Sequence, residues 1–115
     1  MLRTVHVALV DNSADRAIAA KVVDLGRTRF ADSGVQVSYV HGHQNIGYGA
    51  AHNLALHGSG ADYHLVLNPD VELAADALLN AVRWMNAHPD VGAIAPQVKR
   101  RDGTRDYLVK RKPAV

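Results

Sequence analysis

The segment TVHVALVDNS, Thr4 to Ser13, decides how this 115-residue chain is read. Thr4 to Val10 is rich in β-branched residues, the composition of a strand largely buried on both faces. Asp11, Asn12 and Ser13 end that strand in a polar turn, and Ser13 is placed to cap a following helix. In the helix, Ile18, Val22 and Leu25 recur at i, i+4 and i+7, and the end falls between Gly26 and Phe30. A buried strand that passes through a short turn into a helix is the first half of a βαβ unit.

The rest of the chain continues the alternation. Val35 to Val40 reads as a second strand, entered from the turn Asp32-Ser33-Gly34. The loop HGHQNIGYG, residues 41–49, opens a small-residue helix that reaches about Leu56. Tyr63 to Leu67 reads as a third strand, stopped at Asn68-Pro69-Asp70 because proline cannot extend a hydrogen-bond ladder. A helix from about Ala74 to Ala87 carries Leu78, Val82 and Met85 on one face, with Pro89 beyond its end. Ala93 to Val98 reads as a fourth strand, and Arg101-Asp102-Gly103 as a hairpin turn into a short strand near Tyr107 to Val109. This order predicts an α/β layer with a mainly parallel sheet, flanking helices and right-handed crossovers.

Composition narrows the class. The length fits one domain over residues 1–115, and 48% apolar with 21% charged residues excludes wholesale disorder. The chain has no Cys, which excludes disulfides and thiolate metal sites. No apolar run approaches the roughly 20 residues of a membrane span, and Asp11 interrupts the first apolar stretch too early for a secretory signal. A cytoplasmic protein is the expectation. Residues 1–96 hold six Lys or Arg against nine Asp or Glu, so the net charge of +2 comes from residues 97–115. There Lys99, Arg100, Arg101, Arg105, Lys110, Arg111 and Lys112 face only Asp102 and Asp106. Such a basic segment either meets phosphates, anionic lipid or nucleic acid, or is a solvated terminus. Aromatic residues make up only 5% of the chain, with Tyr107 alone among the tail charges, which argues against nucleic acid.

Ligands of parallel sheets bind outside the carboxyl ends of the strands. Three polar clusters fall there: Asp11-Asn12-Ser13, the Asn45 loop and Asn68-Pro69-Asp70. Asp70 is placed either to hold a hard divalent cation that bridges phosphates, or to serve an ordinary strand-to-helix turn. Gly47 and Gly49 stand at a helix mouth, where backbone N–H groups and the helix dipole favour an anion. The alternative there is a tight turn with close packing through Gly49, Ala50 and Ala51. His41 and His43 would share a strand face, but His52 and His57 are five apart and no His-Glu-x-x-His occurs, so no zinc site is expected. A nucleophile elbow and a phosphate-binding Gly-x-x-x-x-Gly-Lys loop are both missing from the sequence.

In order, Val10-Asp11-Asn12-Ser13, residues 45–53 (NIGYGAAHN), Leu67-Asn68-Pro69-Asp70-Val71, residues 88–92 (HPDVG), Pro96 and Asp102-Gly103 resemble the nucleotide-binding part of family 2 glycosyltransferases, with closest likeness to the rhamnosyltransferase-like branch. The likeness covers essentially the whole chain. It implies a Rossmann-like GT-A fold that takes part in inverting transfer of a sugar, with rhamnose the commonest guess for that branch, from a nucleotide-diphospho-sugar to a saccharide or lipid-linked acceptor. By the same resemblance Asp11 contacts the nucleotide base, with Asn12 and Ser13 beside it. Asn45, Gly47, Tyr48, Gly49 and Asn53 belong to the segment near ribose, diphosphate and donor sugar. Asn68 and Asp70 stand at the family's Asp-x-Asp motif, so Asp70 would ligate Mg²⁺ or Mn²⁺ and Asn68 replaces the first carboxylate. The family's leading βα unit and its acceptor region with the general base have no counterpart here, so the chain reads as a partial domain, inactive alone. Unpaired strand edges then predict a homodimer, and a lipid-linked acceptor predicts peripheral membrane contact at the inner face of the membrane. The competing reading is a non-catalytic module of the same fold that binds a nucleotide or a partner.

Overall fold

The computed structural model describes residues 4–13 and 15–106. The chain divides into two compact units, Met1–Pro69 and Asp70–Val115. The first holds strand β1 (His6–Val10), helix α1 (Arg16–Phe30), strand β2 (Gln36–Val40) and helix α2 (Tyr48–Leu56). The second holds helix α3 (Ala77–Ala87) and strands β3 (Val98–Lys99) and β4 (Arg105–Asp106).

In the first unit β1 and β2 are parallel, in register from His6 opposite Gln36 to Val10 opposite Val40. The Gln36 amide donates to the Val5 carbonyl at 3.0 Å and the Asp11 amide to the Val40 carbonyl at 2.9 Å, so the ladder runs past both strand ends. Helix α1 connects the strands and packs on β2, while α2 packs on β1. This is the expected βαβ arrangement. β1 is half-buried, however, where burial on both faces was expected.

Two features of α1 differ from the sequence reading. Asp15, not Ser13, caps it: the Asp15 side chain accepts the Ala17 amide at 2.8 Å. Ser13 is committed to the turn before the helix: its amide donates to Asp11 Oδ1 and its hydroxyl oxygen accepts the Asp15 amide. The packed face also differs. Ile18 and Leu25 are 53% and 57% exposed, whereas Ala19 and Gly26 are buried. A Cβ on Gly26 would lie 3.3 Å from Val37 Cγ1 and 3.5 Å from Leu9 Cδ1. Small residues bring the helix axis close to the sheet, so Gly26 is a contact residue rather than a terminator and α1 continues to Phe30. Ala19 and Ala51 are the buried apolar residues of the described chain.

Tyr63 to Leu67 does not join a ladder among the described residues. High β-propensity makes a segment extendable, but only a paired neighbour makes it a strand. In the second unit α3 starts at Ala77 rather than near Ala74, because Ala74 to Ala77 closes a turn and Asp76 takes the cap position. Of the expected strand Ala93 to Val98 only Val98 pairs, with Lys99 beside it, against Arg105–Asp106. The hairpin turn forms at Arg101-Asp102-Gly103, with Gly103 at φ +84°. The strand expected near Tyr107 to Val109 lies outside the described residues. No helix of the described residues is long and apolar enough to cross a membrane.

Candidate functional site

The carboxyl ends of β1 and β2 form one side of a cleft of about 820 Å³. Asp11, Ser13, Asp15, Tyr39, His41 and Gln44 supply its polar lining, and Ala19, Ala20 and Val23 of α1 face them. Its chemistry follows from register. Leu9 and Asp11 share a face of β1, and Tyr39 stands opposite Leu9, so the Tyr39 side chain emerges beside Asp11. Its hydroxyl donates to Asp11 Oδ2 at 2.7 Å, while the Ser13 amide donates to Oδ1 at 2.8 Å. The Ser13 side chain, the Tyr39 hydroxyl and the Ser13 amide together hold the Asp11 carboxyl down at about 2. Desolvation and the neighbouring carboxylate raise the Tyr39 phenol to about 12, so it stays a donor. His41 stacks on Tyr39 with ring centroids 4.9 Å apart.

Asn12 and the Asn45 loop form a second cluster. Asn12 Nδ2 donates to Asn45 Oδ1 at 3.0 Å, and the Ile46 amide donates to Asn12 Oδ1 at 3.1 Å. Asn45 Oδ1 also accepts the Gly47 amide at 3.0 Å. These bonds clasp the loop after β1 to the loop after β2 and set the start of α2. Gly47 occupies the cap position of α2 with φ +88° and ψ 161°, a conformation essentially reserved for glycine. The free amides of the first helical turn follow it. Gly49 packs against nothing within 4 Å of a Cβ position, so close packing in this helix runs through buried Ala51 instead.

Tyr48 makes the third link. Its ring meets His52 edge-on at 4.4 Å, and its hydroxyl donates to Asn68 Oδ1 at 2.7 Å. The side chain of Asn53 makes no hydrogen bond among the described residues; its carbonyl accepts the His57 amide at the end of α2. Pro69 and Asp70 form a turn, and Asp70 is the first residue of the second unit, exposed and seven residues before α3. His41 and His43 lie in the loop after β2 rather than on a strand face, and both ring nitrogens of His43 are buried without a hydrogen-bond partner among the described residues.

A divalent cation was expected at Asp70. Among the described residues no group of three or more His, Cys, Asp or Glu gathers to hold a metal. The side-chain oxygen of Asn68 accepts the Tyr48 hydroxyl with one of its two lone pairs. These residues therefore fit such a cation only as one carboxylate completed by phosphate oxygens, a common arrangement for Mg²⁺.

Sequence reasoning overlooked Tyr39, His41 and Gln44 as cleft residues. The available signal was the parallel pairing itself, which seats the end of the second strand beside the end of the first.

Parallel strands with polar groups gathered beyond their carboxyl ends, flanked by helices, define an α/β ligand-binding architecture. The sequence matches the family described as glycosyl transferase family 2 over residues 3–113, and the chain belongs to that family. Its parallel sheet and flanking helices fit a Rossmann-like GT-A fold, and the membership supports a glycosyltransferase domain that binds nucleotide-sugar. No curated protein and no solved structure gives a significant match.

Proposed function

We propose that this chain binds the nucleotide-diphospho-sugar donor of an inverting glycosyltransferase, with the Asp11 cleft taking the nucleotide. The observation that carries the reading is the Asp11 carboxylate, fixed at the β1 end by Ser13 and Tyr39 and kept ionised. A carboxylate offers about four acceptor sites, and the Ser13 amide, the Ser13 side chain and the Tyr39 hydroxyl engage only part of them. The others suit donor groups of a base or ribose. The amides at the start of α2 suit negative charge, favoured by the helix dipole. Asp70 is the residue that would hold Mg²⁺ or Mn²⁺, whose chemistry is to neutralise charge on a departing diphosphate. The proposed transfer moves a sugar, rhamnose by resemblance, to a saccharide or lipid-linked acceptor.

Calorimetric titration with a nucleoside diphosphate, with and without Mn²⁺, tests this. Binding weakened at least tenfold by Asp11→Asn is expected, and equal affinity in that variant overturns the assignment of the cleft.

A second reading, donor binding without turnover by this chain alone, is favoured by three carboxylates of the second unit. Asp76 accepts from Asn80 Nδ2 at 2.8 Å, Asp102 accepts the Thr104 amide and hydroxyl, and Asp106 pairs with Arg100 at 3.3 Å. Carboxylates so engaged serve a helix start and a hairpin, whereas a general base must reach the acceptor hydroxyl. A radiolabelled-donor assay with saccharide and lipid-linked acceptors separates the two, and turnover above the enzyme-free control excludes the second.

A further inference from the structure

We propose that Tyr39 is a positioning residue for nucleotide binding: its hydroxyl, reaching from β2, fixes the Asp11 carboxylate in the one orientation that a ligand in the strand-end cleft meets. The inference rests on the assignment of the Asp11 cleft to the nucleotide, and it adds a residue to which the family resemblance gave no role.

Three observations support it. The hydroxyl-to-Oδ2 bond is short, at 2.7 Å, and partly buried, and it joins residues of adjacent strands. An aspartate side chain at a strand end rotates about two torsions; Ser13, through its amide on Oδ1 and its side chain, restrains it from its own turn, and a second restraint comes from outside that turn. Tyr39 supplies that second restraint from a different element, so the carboxylate is held at both oxygens. Finally, the Tyr39 ring is itself held, stacked on His41 and set by the register of β2 against β1. A donor locked in place beforehand spares the ligand the cost of ordering the carboxylate.

The other charged groups at this point are few. His41 acts on Asp11 through space, and Asp15 lines the same cleft at the start of α1. Helix α2, which packs on β1, brings Tyr48, bonded to Asn68, and His52, edge-on to Tyr48. The Tyr39 bond is thus a main cause of the acidity of Asp11, second to the Ser13 side chain.

The test uses the full chain, uniformly ¹³C-labelled, with deoxythymidine diphosphate and uridine diphosphate as probes. Tyr39→Phe keeps the ring and its stack but removes the hydroxyl. It should weaken diphosphate binding roughly tenfold, the scale of one hydrogen bond to a charged group. It should also move the Asp11 carboxyl titration, read by its ¹³C shift, upward from about 2 towards the ordinary aspartate range. A ring that merely packs predicts wild-type behaviour for Tyr39→Phe in both measurements, and that result overturns the proposal. An ordinary Asp11 midpoint in the wild type also overturns it, with no variant needed. Asp11→Asn separates the two levels of inference. If it binds as the wild type does, the nucleotide assignment fails. If it loses binding while Tyr39→Phe does not, the positioning role alone fails.

Discussion

Asn12 and Asn45 are held to each other across two loops by a 3.0 Å bond from Asn12 Nδ2 to Asn45 Oδ1. The same Asn45 oxygen takes the Gly47 amide, so one acceptor joins the end of β1 to the start of α2. Both asparagines spend these side-chain groups on the protein, which makes them framework for the helix mouth. Asn45→Ala removes the acceptor of two bonds and should destabilise the chain by about 1–2 kcal/mol. Asn45→Asp keeps an acceptor and should lose less. Urea denaturation of both variants checks the order, and an unchanged midpoint for Asn45→Ala would show that the clasp contributes nothing.

The acidity of Asp11 sets a pH dependence. Its folded value of about 2 lies below the unfolded 3.8, so its contribution to stability is complete above roughly pH 5. It is lost as pH falls through the window between those two values, because the protonated carboxyl gives up its advantage over the unfolded chain. The group is solvent-accessible, so screening reduces the effect. Denaturation midpoints of wild type and Asp11→Asn should therefore converge between pH 4 and pH 2. A constant gap over that range would place the carboxyl outside the Ser13 and Tyr39 bonds.

Gly26 tests the helix-on-sheet contact. Gly26→Val adds a β-branched side chain where a Cβ already lies 3.3 Å from Val37 Cγ1, and should destabilise by about 1–3 kcal/mol. Removing the opposing methyls with Val37→Ala in the same chain should recover part of that loss. Thermal denaturation of the single and double variants measures it, and strict additivity would show that the two residues do not meet.

Leu65 and Val66, 50% and 49% exposed, lie with Leu67 in a stretch that pairs with no strand among the described residues. Exposed backbone and apolar side chains in one segment promote pairing between chains. Light scattering should show a mass that rises with concentration, and Val66→Lys should shift the curve towards the monomer. A monomer at every concentration in the wild type would end this expectation.

Local chemistry was enough for several parts of the molecule. The β-branched run before Asp11, the polar turn after it and the apolar period of Ile18, Val22 and Leu25 specify a strand, a turn and a helix, because each depends on neighbours in the chain. The hairpin turn at Arg101-Asp102-Gly103 belongs to the same group, since Gly103 accepts a positive φ with no help from elsewhere. The family was legible too, from motifs spread along the chain, and the match over residues 3–113 agrees with it.

What the tertiary structure decided depends on which segments lie side by side. Ile18 and Leu25 made the more apolar stripe, yet α1 packs through Ala19 and Gly26, because close approach to Val37 and Leu9 rewards small size over hydrophobicity. Tyr63 to Leu67 had the composition of a strand but no ladder partner among the described residues, and pairing is a property of two segments. The cleft follows the same rule. Asp11 could be marked from its own turn, but Tyr39 became its partner only when the parallel register set β2 beside β1, twenty-eight residues away in the chain. Hydrogen bonds and packing act over a few ångströms of space, and the register of the sheet converted that separation in sequence into 2.7 Å.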